Sequence, residues 1–146
     1  MSESQARQNF TKECEEALNK QINMELQAAY EYMAFSTYFD RDDVALPNAA
    51  EFFRNASLEE REHAEKLAKY VVKRGGRVDY SDIKAPCKTE FTGVEDAMNT
   101  ALAMEKAVNE VSESLRDTLD DVDVVDLFLV YFFFFGGGGH FVDPST

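Results

Sequence analysis

Basic side chains are scarce in this sequence: 15 Lys and Arg stand against 28 Asp and Glu, for a net charge of −13. Such a field repels phosphate backbones and anionic membrane surfaces, which argues against nucleic-acid and membrane binding. It attracts cations, so metal ions and basic partners are the guests to look for. Thiols are sparse too. The two cysteines, Cys14 and Cys87, lack any CxxC spacing, carry no more than a structural or incidental signal, and suit a reducing cytosol. The opening "MSESQARQNF" has no apolar h-region to serve as a signal peptide. A bilayer span is missing as well, because the longest apolar run, "LFLVYFFFF" from Leu127 to Phe135, has nine residues where a spanning helix needs about 18 or more. No internal repeat is present. At 146 residues the chain is expected to form one soluble, cytoplasmic domain around a single core.

What is there is helical periodicity. From about residue 9 to 39, Leu18, Ile22, Ala29 and Met33 recur on one face, with Asn9 or Thr11 available as N-cap. After the turn "DRDDVALPN", Pro47 suits the first turn of a second helix that runs to the glycine stop at Gly75 and Gly76, about 47–75. A short turn between two long helices makes them antiparallel neighbours. Residues 77–91 contain Pro86 and no sustained period, and they are longer than such neighbours require, so they read as a crossover. A third helix, about 92–119, starts at "TGVE", a capping box with Glu95 at its third position. Its stripe is Val94, Ala97, Ala101, Val108 and Leu115, with Leu119 as a further candidate. The expectation is all-α: a four-helix bundle with a long crossover and no clear fourth helix.

Four ionisable residues fall on or beside these stripes when each residue is advanced by about 100°. Glu25 lies between Ile22 and Ala29, with Tyr32 further along the same face. Glu60 falls among Phe53, Ala56, Ala64 and Leu67, and His63 lies one turn on. Glu105 sits between Ala101 and Val108. A single glutamate on a stripe is ordinarily an edge residue reaching solvent, and a single histidine is ordinarily a hydrogen-bonded core residue. Three carboxylates at matching depth on three helices are different. Left ionised and unpaired they would cost several kcal/mol each, and no Lys or Arg shares those stripes. Two divalent ions supply the missing charge: hard oxygens plus one imidazole suit iron or manganese, and Glu60-x-x-His63 is a helical spacing that aims both side chains at one point, with Glu60 as the bridge. The competing reading is a polar core that shares protons. Tyr32 is also explicable as a core tyrosine with its hydroxyl at the boundary. Glu59, Glu62 and Glu65 point off the stripe, where pairing with Arg61 and Lys66 makes an ordinary solvated face.

The stretches "NFTKECEEALNKQINMELQAAYEYMAFSTYFDRDDVAL", "EEREHAEKLAKY", "KRGGRV", "DIKAP" and "AMNTALAMEKAVN" resemble eukaryotic ferritin of the heavy-chain type, over about residues 6–110. The resemblance implies a ferritin-like four-helix bundle with a long crossover and a short fifth helix, twenty-four subunits forming a hollow cage, and storage of ferric mineral. It implies that Glu25, Glu60, His63 and Glu105 bind the two irons of a ferroxidase centre, which oxidises Fe(II) with dioxygen, with Tyr32 nearby. It also gives Glu59 and Glu62 a function, helping ferric ions leave the centre and nucleate.

Residues 111–146 depart from the family. "RDTLDDVDVVD" holds five aspartates, and half of the 12 phenylalanines fall in the last 20 residues, next to four glycines. This stretch reads as an aggregation-prone strand, with the fourth and fifth helices degenerate or absent. Ungapped alignment puts Gly139 where the family's fourth helix supplies a glutamine to the iron site, and Leu129 and Phe132 near its acidic threefold channel. Val111 and Ser112 can be encoded by GTAAGT, a splice-donor sequence, so the tail is readable as a translated retained intron. The chain therefore divides into a helical domain, 1–110, and an atypical tail, 111–146. Two rival functions follow: a non-catalytic variant subunit that misfolds or modulates assembly of intact subunits, and a di-iron enzyme acting on an organic substrate.

Overall fold

The computed structural model describes residues 4–118 and gives three helices in that span: α1 (Lys12–Phe39), α2 (Pro47–Lys73) and α3 (Val94–Thr118). Among the described residues there is no strand. Leu115 is within α3, while Leu119, Leu129, Phe132, Gly139, the phenylalanine run and the expected fate of the fourth and fifth helices lie outside the described residues. α3 passes through residue 110, the expected domain boundary, without a break.

α1 starts where Thr11 Oγ1 accepts the Cys14 amide at 3.1 Å, so Thr11 rather than Asn9 is the N-cap. α2 ends in a Schellman motif. The Gly76 amide bonds the Val71 carbonyl and the Gly75 amide the Val72 carbonyl, with Gly75 at φ +80° as the left-handed residue. At the start of α3 the reciprocal contact to Thr92 comes from Asp96, whose Oδ2 accepts the Thr92 amide at 3.0 Å, and not from Glu95 as the capping-box pattern predicts. The helix begins one residue later than that pattern places it, at Val94 rather than Gly93, and this moves Asp96 into the third helical position.

The antiparallel pairing of α1 and α2 is written in two serine bonds. Ser36 Oγ donates to the Ala50 carbonyl at 2.9 Å and Ser57 Oγ to the Ala29 carbonyl at 2.7 Å, so residues pair in opposite order along the two helices. Small residues at Ala28, Ala29, Ala49 and Ala50 let the backbones approach. The buried seam of α1 runs Cys14, Leu18, Gln21, Glu25, Ala28, Tyr32, Phe35, Phe39, with steps of four and three in alternation. That is the 3.5-residue repeat of helices packed with a left-handed twist. Met33, expected on the buried stripe, is instead 55% exposed. Eight residues beyond Glu25, it is turned by about 100° from a seam of that period.

Two apolar clusters fill the core. One joins Phe10, Cys14, Leu18 and Ile22 to Ala64, Leu67 and Val71; the other joins Tyr32, Phe35, Phe39, Phe53, Phe91, Ala97 and Ala101. α3 enters through the second cluster, with Val94, Met98 and Met104 packed against it. The crossover after α2 is strapped along α1 by side-chain amides acting as a substitute strand edge. Asn19 takes the Arg77 carbonyl and the Asp79 amide, and Gln27 takes both backbone groups of Lys84. Both residues lie on one face, eight apart, so the strap follows α1 for more than two turns.

Candidate metal centre

Between the two apolar clusters lies a polar layer formed by Gln21, Glu25, Glu60 and His63, all buried. Glu25 comes from the middle of α1, and Glu60 and His63 from successive turns of α2, so antiparallel packing alone brings them level. His63 Nδ1 lies 3.4 Å from Glu60 Oε2 and 3.8 Å from Glu25 Oε2. One ligand atom from each of the three residues falls within 4.8 Å of the others. Two carboxylate oxygens and an imidazole nitrogen at that spacing fit a hard or borderline divalent cation.

Electrostatics in this layer are those of a site built for positive charge. Burial away from water pushes the Glu60 carboxyl well above the usual carboxylate range; Glu25 and Glu105 push the same way, and contact with His63 only partly opposes them. For His63, burial disfavours the imidazolium, but contact with the Glu25 and Glu60 carboxylates outweighs it and the pKa is raised. The layer therefore holds its protons more tightly than the same groups would in water.

Glu105 reaches this layer indirectly. Tyr32, buried on α1 against Phe35 and Phe53, donates its hydroxyl to Glu105 Oε1 at 2.8 Å. Burial and the Glu105 carboxylate raise the Tyr32 pKa, so the phenol stays protonated and can donate. Glu105 is half-buried and outside the close group of three, so the structure gathers Glu25, Glu60 and His63 and tethers Glu105 at one remove. Glu59 and Glu62 are exposed on the flank of α2, away from the layer. Glu62 pairs with Lys66 at 3.4 Å and Arg61 with Glu65 at 3.6 Å, the i, i+4 pairs of a solvated face.

The pattern of the ferritin family, the ferritin-like domain, matches residues 15–128. The chain belongs to the ferritin family. It is 74% identical over 110 residues to ferritin-2 heavy chain of Schistosoma mansoni, and 59% identical over 111 residues to soma ferritin of Lymnaea stagnalis. To ferritin heavy chain of Echinococcus granulosus it is 56% identical over 113 residues. These matches take in 75%, 75% and 77% of this chain and 64%, 63% and 65% of the relatives, so the chain spans less than two thirds of their length. The family match continues to residue 128, beyond the residues 6–110 that carry the resemblance in the sequence itself. With the helices above, this makes the fold all-α and ferritin-like.

Within this ferritin-family layer one residue lies outside the sequence-predicted set. Gln21 is completely buried and its Nε2 donates to Glu25 Oε1 at 2.9 Å. An uncharged side chain carries no ionic burial cost to mark it on a stripe. The available signal is its place four residues before Glu25 on the same 3.5-residue seam.

Proposed function

We propose that this chain takes up Fe(II), oxidises it with dioxygen and passes Fe(III) to storage, as a subunit of the heavy-chain ferritin kind. The observation that carries the reading is the convergence of Glu25, Glu60 and His63 within 4.8 Å in a buried layer with no Lys or Arg among its residues. In it Glu25, Glu60 and His63 hold iron, Glu60 is the bridge, Glu105 contributes from the third helix, and Tyr32 orients Glu105. Iron is here the substrate. Each Fe(II) gives up one electron to dioxygen, and hard carboxylate oxygens favour the Fe(III) produced. Glu59 and Glu62, exposed and one residue from the ligands, suit a role in leading ferric ions away. Partners are Fe(II), dioxygen and other ferritin subunits, and neither nucleic acid nor membrane. The cytosol suits two free thiols.

Stopped-flow oxidation of Fe(II) by the purified full chain, with oxygen uptake recorded alongside, tests the reading. Glu60→Ala should slow the fast phase by roughly 100-fold or more, the effect of losing a shared ligand. Equal rates in parent and variant remove Glu60 from the chemistry. Oxygen uptake that required an organic substrate would point to the rival enzyme class.

One observation favours the non-catalytic variant-subunit reading. α3 leaves Leu102 46% exposed and enters the core chiefly through its first three turns. Particle size decides between them. A large hollow particle on gel filtration supports a cage-forming subunit, whereas a monomer or void-volume aggregate supports the variant.

A further inference from the structure

We infer that Gln21 is a positioning residue for the metal centre: its buried amide holds one oxygen of Glu25 so that the other faces the ligand group. This rests on the reading that Glu25 binds metal. A carboxylate only accepts hydrogen bonds, so the Gln21 amide must present its NH₂ to it. That NH₂ meets Glu25 Oε1 at 2.9 Å, while Glu25 Oε2 is the oxygen that lies 3.8 Å from His63 Nδ1. The two oxygens of one carboxylate are thus divided between two tasks. Both residues are completely buried, so water cannot take over the bond if the amide is removed.

Chain geometry makes this division hard to obtain another way. Gln21 precedes Glu25 by one helical turn on the same seam, and a glutamine at that spacing reaches forward to a carboxylate four residues on. Above and below the layer the seam carries Leu18 and Ala28, which offer no donor. A leucine at position 21 would bury more apolar surface on a helix seam, so packing does not account for an amide there. Hydrogen bonds from outside a metal's ligand set fix ligand orientation, and their loss typically weakens metal binding by about 10- to 100-fold.

The test uses Co(II) as probe, added to the purified full chain and followed by its visible d–d absorption, with thermal unfolding of each apo-protein in parallel. Gln21→Met keeps the length and removes the donor. It should weaken Co(II) binding by about 10- to 100-fold and alter the d–d band shape, in an apo-protein that still unfolds cooperatively, though below the parent temperature because the buried Glu25 oxygen loses its donor. Gln21→Asn retains an amide too short to reach, and should show the same loss; it decides the matter if the Met variant fails to fold. Parent-like Co(II) affinity and spectrum in a folded Gln21 variant, alongside lost binding in Glu60→Ala, overturn this inference and leave the metal centre standing. Parent-like binding in Glu60→Ala as well removes the metal centre itself, and the role of Gln21 with it.

Discussion

The Tyr32 hydroxyl donates to Glu105 Oε1 at 2.8 Å, joining side chains 73 residues apart and tying α3 to the polar layer between α1 and α2. Tyr32→Phe removes the donor and leaves a half-buried carboxylate with one partner fewer. The cost should be about 1–3 kcal/mol in chemical unfolding. Because burial and Glu105 hold the phenol protonated, alkaline titration of tyrosinate absorbance up to pH 12 should show equal amplitude in parent and variant. A smaller amplitude in Tyr32→Phe means that the hydroxyl was titrating freely.

The metal-free protein should lose stability as the solution turns alkaline. Glu60 is raised from 4.5 to about 9, and His63 from 6.5 to about 9. In both cases the folded state holds its proton more tightly than the unfolded chain. Their contribution is complete below the unfolded values and declines as pH rises through the folded ones. Thermal unfolding of the apo-protein at a series of pH values from 6 to 9.5 should show a falling midpoint, and the fall should shrink in Glu60→Gln. A flat profile in the parent counts against buried, proton-holding ligands.

Cation loading should displace those protons. Binding of Co(II) near pH 7 is therefore expected to release protons, read by calorimetry as an apparent enthalpy that scales with the ionisation enthalpy of the buffer. It should also raise the unfolding temperature, and more so at pH 8 than at pH 6. No buffer dependence would place the cation elsewhere on the protein.

Two turn residues in the left-handed region should respond in opposite senses to substitution. Ala45, exposed between α1 and α2, sits at φ +51°, where a side chain is strained by roughly 1–2 kcal/mol. Ala45→Gly relieves that strain but loses part of the gain to unfolded-state entropy, for a net change between zero and about +1 kcal/mol. Gly75→Ala puts a Cβ 2.8 Å from the Arg7 amide nitrogen at φ +80°, and should destabilise by more than about 1 kcal/mol. Denaturant midpoints measure both; a destabilised Ala45→Gly would show the turn to be unstrained.

Phe35 anchors the second apolar cluster, completely buried and touching Tyr32, Phe53 and Phe91 with ring centroids 4.6–5.5 Å apart. Phe35→Ala should cost about 3–5 kcal/mol. Since Tyr32 leans on that ring, the variant should also weaken the coupling between Tyr32 and Glu105, measured as a double-mutant cycle with Glu105→Gln.

Much of this protein is legible in its local chemistry alone. Proline at the start of α2, glycines at its end and threonine before α1 act through backbone groups within a few residues, so the sequence bounds the helices to within about three residues. Carboxylates on apolar stripes stand out in the same way, because burying one without compensation is costly whatever it packs against. Tertiary packing decided the rest. Whether a straight-helix stripe or a 3.5-residue seam is buried depends on how neighbouring helices twist around one another, and that put Met33 in solvent and Gln21 in the core. It also set the ranks within the site. Glu25, Glu60 and His63 meet because α1 and α2 pack along most of their lengths, while Glu105 reaches them through Tyr32 because α3 joins that pair at one end.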